Sequence, residues 1–151
     1  MKVELTEFDT VFLELSYDWL RDPEIKELTM TPDITKESQS RWYDSLKENY
    51  TYMVKGVLVD GKPVGAVGLK HIDFDNQKAE YFGYIGRKEW WGMSIGNDMM
   101  ELIEKEAVSK GMHHIYLHVR KDNERAIRLY VKKGYSIVSM DGALYRMEKI
   151  I

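Results

Sequence analysis

The chain has 151 residues, 44% apolar and 31% charged, which fits one globular domain with a full hydrophobic core. A net charge of −3 gives no electrostatic reason to expect nucleic acid, and the absence of cysteine excludes disulfides, thiolate metal sites and cysteine nucleophiles. No run approaches the roughly 18 apolar residues of a membrane helix, and the opening MKVELTEFDT lacks the apolar segment of a secretory leader, so no membrane role and a cytoplasmic location are expected.

Residues 3–5 read as a short strand. Apolar residues then recur at helical spacing over 8–21, until Asp22-Pro23 interrupts them, and a short segment follows over 24–30. Thr35 is placed to cap a helix over 36–48, with Glu37 in its first turn. The period then changes. Residues 52–59, the turn Asp60-Gly61-Lys62 and residues 64–72 read as a hairpin, and the aromatic-rich stretch 80–86 as a third antiparallel strand. Residues 95–110 form the best helix: Ile95, Met99, Leu102, Ile103 and Ala107 share a face, Glu101 can pair with Lys105, and Gly111 suits the C-terminal cap. A strand over 113–119 puts Ile115, Leu117 and Val119 on one face. Asn123 opens a helix running to Lys133 and ended by Gly134, and strands over 135–139 and 143–149 flank the hairpin signal Asp141-Gly142. The order implies a single α/β domain over 1–151, a mixed sheet with helices on both faces.

The stretch EWWGMSIG, Glu89 to Gly96, immediately precedes the best helix. A helix N-terminus presents unpaired amides and the positive end of the dipole, so it suits a pyrophosphate, and Gly92 and Gly96 permit close backbone approach. Alone, the stretch is equally an ordinary strand-to-helix loop, and it is neither a Rossmann fingerprint nor a P-loop.

The segment from Asn123 to Tyr135 raises its meaning. Its pattern N-x-x-A-x-x-x-Y-x-x-x-G-[FY], at Asn123, Ala126, Tyr130, Gly134 and Tyr135, resembles the GCN5-related N-acetyltransferase (GNAT) family. The family's [QR]-x-x-G-x-[GA] turn corresponds to Trp91 through Gly96, with Trp91 replacing the usual Gln or Arg and Ser94 replacing the first glycine. The element order agrees, so the resemblance covers essentially the whole chain. It implies a GNAT fold: a mostly antiparallel sheet splayed between the fourth and fifth strands.

The resemblance further implies acetyl transfer from acetyl-CoA to an amine. It assigns cofactor contacts to Gly92, Met93, Ser94, Ile95, Gly96 and Asn97 of the turn, to Asn123, and to the fourth-strand segment Tyr84, Ile85 and Gly86. Ser94 is expected to take an early-helix backbone and offer its hydroxyl to a phosphate. Arg87, Lys88, Arg125 and Lys132 are candidates for the charge that Trp91 lacks. Tyr130 matches the tyrosine that serves as general acid toward the CoA sulfur; the alternative is a core tyrosine. For the general base, His118 is ranked ahead of Glu80, and each has a structural alternative in a salt bridge or a hydrogen bond. A metal role for the histidines fails on spacing. His114 and His118 lie four apart on a strand, roughly 13 Å at about 3.3 Å per residue.

The acceptor is expected between the first helices and the last hairpin. The W-L-R-D-P-E element, followed later by Q-x-x-W-Y, looks like GNAT enzymes acting on nucleotide-linked amino sugars. Trp19, Arg21, Met30, Trp42 and Tyr43 are candidates for stacking on such an acceptor, with packing of Trp42 and Leu46 on the sheet as the alternative. Polyamine and protein N-terminal acetyltransferases are the neighbouring readings. A polyamine would want clustered acids, which Asp18, Asp22, Glu24 and Glu27 supply only diffusely. A non-catalytic CoA-binding module is the alternative of another class. Homodimers are common in folds of this kind.

Overall fold

Four of the five α-helices of the computed structural model, which describes residues 1–151, start on side-chain caps. Asp9 accepts from the amides of Val11 and Phe12 at the head of α1 (Thr10–Arg21). Asp22 ends that helix in an extended conformation and caps α2 (Pro23–Thr29), where Pro23 occupies a position that needs no amide. Thr35 and Ser38 exchange hydrogen bonds in a capping box at α3 (Lys36–Ser45). This helix ends at Ser45 instead of 48, because the chain tightens into a 3-10 turn over Leu46–Glu48.

Seven strands, β1 (Val3–Glu7), β2 (Met53–Val59), β3 (Lys62–Asp73), β4 (Lys78–Ile85), β5 (His114–Arg120), β6 (Ser136–Asp141) and β7 (Leu144–Ile150), form one sheet in the order β1-β2-β3-β4-β5-β7-β6. Val59 pairs with Lys62 across a two-residue turn, and Asp60 and Gly61 both take the positive φ that a primed hairpin turn requires. Only β4 and β5 are parallel, since α4 (Ile95–Ser109) carries the chain across between them. Their pairing covers Lys78↔His114, Ala79↔Ile115 and Glu80↔Tyr116 and then stops. The sheet therefore splays immediately beyond Glu80.

Side-chain alternation assigns the two faces. Ile115, Leu117 and Val119 of β5 join Met99, Met100 and Ile103 of α4 in the larger core, against which Ala126, Ile127 and Tyr130 of α5 (Glu124–Lys132) also pack. Phe8, Phe12, Trp19 and Ala66 form a smaller core on the other face, supported by Trp42 and Tyr43 of α3. The helix-surface pair expected for Glu101 is replaced by a longer-range one: Glu101 reaches Lys133 at the end of α5.

Candidate active site

A cavity of about 640 Å³ opens where β4 and β5 separate. Strand β4 keeps β3 on one side, with Gly83 opposite Val67 and Ile85 opposite Gly65, but has no strand partner on the other beyond Glu80. Alternate backbone groups between Tyr81 and Ile85 are thus left for a ligand.

The turn entering α4 closes one end. Gly92 has φ +76, and Ser94, the N-cap, has φ 67 and ψ 11, a left-handed conformation in place of the early-helix one expected of it. Two left-handed residues fold the chain back on itself. The amides of Gly92, Met93, Ser94, Ile95, Gly96 and Asn97 donate to no protein group, and the first bond of the helix is from Asp98 to the Ser94 carbonyl. Gly96 has a packing reason as well: a Cβ there would sit 2.9 Å from Leu129 Cδ2 of α5.

Trp91 ties this turn to the splayed strand. Its Nε1–H donates to the Ile85 carbonyl at 2.9 Å, and its ring carries the guanidinium of Arg125 at 4.7 Å and the ammonium of Lys88 at 5.8 Å from the centroid. Lys88 is also held by Asp22 and Glu24, each at 3.0 Å, and Arg87 donates to the Pro63 carbonyl at 2.7 Å.

Glu80 and His118, treated from sequence as rivals, are joined. His118 Nδ1 lies 3.1 Å from Glu80 Oε2, and His71 Nδ1 lies 2.9 Å from Glu80 Oε1. The carboxyl is buried, which by itself would raise its pKa. The hydrogen bonds from His118 and His71, with the charge of Lys70 at 3.9 Å, outweigh burial and hold it below the ordinary range. An ionised carboxylate only accepts, so the neutral form of each imidazole carries its proton on Nδ1 and presents Nε2 as an acceptor. His71 was not anticipated. It lies within an irregularity of the β3–β4 register, between Lys70 and Asp73, and has φ 52, which carries it out of regular alternation and onto Glu80.

Tyr130 lines the same cavity, its ring edge-on to Tyr81 at 5.9 Å and tilted against Tyr135 at 6.1 Å. Burial pushes its phenol up to about 12. Tyr135 donates its hydroxyl to Glu104 at 2.9 Å, whereas the Tyr130 hydroxyl has no protein partner. Asn123 caps α5 by accepting from the Ala126 amide at 3.3 Å and also lines the cavity.

Of the residues singled out from sequence, Tyr84, Ile85, Gly92, Ser94, Ile95, Gly96 and Asn97 reach the cavity together with Glu80, His118, Asn123 and Tyr130. Gly86 and Met93 do not. The Gly86 amide donates to the Val64 carbonyl at 2.7 Å, and a Cβ there would stand 2.2 Å from the Trp19 ring, so Gly86 serves packing. His114 lies away from the cavity beside Glu148, 3.1 Å from its Oε2.

A free helix N-terminus, a splayed strand edge and an unpartnered tyrosine hydroxyl thus surround one cavity. The sequence profile of the acetyltransferase (GNAT) family matches residues 13–135. The chain belongs to the GNAT family. It is accordingly an acetyl-CoA-dependent N-acetyltransferase, and the unpaired amides of the turn fit the diphosphate of that co-substrate. Among its relatives is a spermidine N(1)-acetyltransferase of Thermoplasma acidophilum, 25% identical over 131 residues, or 87% of this chain and 73% of the relative. The acetyltransferase PseH of Campylobacter jejuni is 24% identical over 143 residues, 94% of this chain and 88% of that protein. The fold is shared with spermidine N-acetyltransferase from Vibrio cholerae in complex with CoA and spermine, at TM-score 0.89, 18% identity and coverage of 98% and 95% of the two chains. It is shared also with PseH in complex with acetyl coenzyme A, at TM-score 0.76, 19% identity and coverage of 99% of both. No helix is long and apolar enough to cross a membrane.

Proposed function

We propose that this GNAT enzyme acetylates the primary amine of a small molecule whose remainder is neutral or anionic, and that a nucleotide-linked amino sugar is the fitting class. The charge of the cavity lining supports this reading. Glu80 is its one carboxylate and already engages two imidazoles, whereas Lys70, Arg125 and Lys132 are cations. A polyamine keeps further ammonium groups after its reacting nitrogen loses a proton, and each would need a carboxylate where water is excluded. Three acids of the first helices are engaged elsewhere, Asp22 and Glu24 with Lys88 and Glu27 with Arg120 at 3.0 Å, and neither they nor Asp18 line the cavity. Trp42, Tyr52 and Phe82 line the cavity in consecutive ring contacts of 6.0 and 5.3 Å, a surface suited to a sugar or base. The polyamine reading has the support of the Thermoplasma acidophilum relative, and the lining charge opposes it.

In the proposed mechanism acetyl-CoA supplies an electrophilic thioester carbonyl. His118 accepts the proton of the attacking amine at Nε2, because Nδ1 is engaged by Glu80. Glu80 is a positioning residue that sets the tautomer and stabilises the imidazolium as it forms. Tyr130 donates its hydroxyl proton toward the departing sulfur. With its phenol at about 12 it stays protonated throughout the working range. The same dry surroundings raise a thiol, which keeps acid and leaving group from drifting apart. The amides from Gly92 to Asn97 hold phosphate, and β4 presents its free edge to the arm of the co-substrate.

Thiol release from acetyl-CoA across UDP- and dTDP-amino sugars, spermidine, spermine and peptides tests the reading. Turnover on amino sugars without turnover on polyamines is the expected result. Efficient acetylation of spermidine or of peptides alone would overturn the acceptor assignment. Absence of both thiol release and acetyl-CoA binding would overturn the enzymatic reading.

A further inference from the structure

The family turn normally carries a Gln or Arg where this chain has Trp91, so the charge that meets phosphate must come from elsewhere. Four nearby cations are available in the sequence, and the structure distinguishes them. Arg87 is bonded to the Pro63 carbonyl, and Lys88 is neutralised by Asp22 and Glu24. Lys132 lines the cavity but touches no residue of the turn in an ion pair or ring contact. Arg125 lines the cavity, is engaged by no carboxylate, and has its guanidinium carbon over the Trp91 ring, 4.7 Å from the centroid.

We propose that Arg125 of α5, seated on the indole of Trp91, is the cation that binds the diphosphate of the acyl donor in place of a basic side chain in the turn. Trp91 is then a positioning residue with two contacts. Its ring face holds the guanidinium, and its Nε1–H, on the Ile85 carbonyl, fixes that face relative to the splayed strand. An arginine suits this arrangement better than a lysine, because a planar guanidinium stacks on an indole while keeping its edge N–H groups free for phosphate oxygens. The turn itself contributes amides, at left-handed Gly92 and Ser94, and no charge. Moving the cation from turn to helix α5 also makes phosphate binding depend on the α4–α5 contact at Gly96 and Leu129.

The assignment rests on the acetyltransferase reading, and three donors separate the two: acetyl-CoA, acetyl-dephospho-CoA, which keeps the diphosphate but lacks the 3′-phosphate, and S-acetylpantetheine, which has neither. Arg125→Ala is expected to raise KM about tenfold for the first two donors, with kcat little changed, and to leave S-acetylpantetheine unaffected. Trp91→Ala should give part of the same penalty, and the double variant should be no worse than Arg125→Ala alone. An unchanged KM for acetyl-CoA in Arg125→Ala would overturn the proposal, as would a penalty confined to acetyl-CoA, which would place Arg125 on the 3′-phosphate. Equal losses with S-acetylpantetheine would reveal structural damage and also count against it, with far-ultraviolet circular dichroism and the melting temperature as the accompanying readout. Strict additivity of the two substitutions would overturn the positioning role of Trp91. Failure of the unaltered enzyme to use any of the three donors would instead refute the acetyltransferase reading.

Discussion

Glu80 and His118, 38 residues apart in the chain, meet at 3.1 Å where β4 and β5 separate, Glu80 on the last paired rung and His118 two residues beyond its partner Tyr116. In the proposed mechanism this carboxylate–imidazole pair is the base assembly, with the proton-accepting nitrogen set by the carboxylate. His118→Ala should therefore lower kcat/KM by about 10²–10⁴ when the acceptor is saturating and acetyl-CoA is varied. Glu80→Gln should lower kcat by a smaller factor, about tenfold or more, with KM for acetyl-CoA unchanged. Equal and small effects from both would indicate a structural pair.

His71 holds the other oxygen of the same carboxylate from a left-handed backbone. His71→Asn suits that backbone and retains a donor, so it should lose less kcat than His71→Ala. Steady-state kinetics of the two variants at fixed acceptor concentration checks this order.

Tyr130→Phe removes a hydroxyl that makes no hydrogen bond within the protein. Stability should hardly change, whereas kcat should fall by about 10–10² with the Kd for acetyl-CoA nearly constant. Because the phenol sits at about 12, the pH–rate profile should show no falling limb from Tyr130 between about pH 8 and 10. Unchanged turnover in the variant would remove Tyr130 from the acid role.

Glu80 also links stability to pH. Its folded pKa lies below its unfolded one, so its contribution is present above the unfolded value, near 4.5, and is lost as pH falls through the folded value. The difference in melting temperature between the natural protein and Glu80→Gln should shrink as pH falls below about 4.5. A difference that grew as pH fell below about 4.5 would contradict the depressed pKa.

Gly86→Ala would place a methyl 2.2 Å from the Trp19 ring. Overpacking of this kind costs about 1–3 kcal/mol, so urea denaturation should show a lower midpoint. KM for acetyl-CoA should stay close to that of the natural protein, since Gly86 does not line the cavity. A large KM change with full stability would restore the cofactor contact expected from sequence.

The fold and the family were legible in the sequence because their signals are local. Periods of two and 3.6, the caps at Thr35 and Asn123, and the primed turn at Asp60-Gly61 each reside within a few residues of chain. The motif from Asn123 to Tyr135 likewise lies along one helix and its end, so reading it requires no knowledge of the sheet. His71 illustrates the limit. Regular alternation along β3 puts it on the face opposite Lys70, and only the irregularity after Lys70, with φ 52, turns it onto Glu80. Gly86 shows the same limit from the other side: the family pattern offers it as a ligand contact, and the nearby Trp19 ring gives it a packing reason.

By itself the sequence determined the element order and the acetyltransferase family, since these depend on propensity, periodicity and one contiguous motif. Tertiary structure alone decided which residues act on each other. It joined Glu80 to His118, engaged Asp22 and Glu24 with Lys88, and laid Arg125 on Trp91. Such pairings span distant parts of the chain, and they are set by strand register, by the point at which β4 and β5 part, and by the packing of α5 against α4. No local rule carries that information, because side-chain charge and hydrogen bonding take effect only over the few ångströms that folding creates.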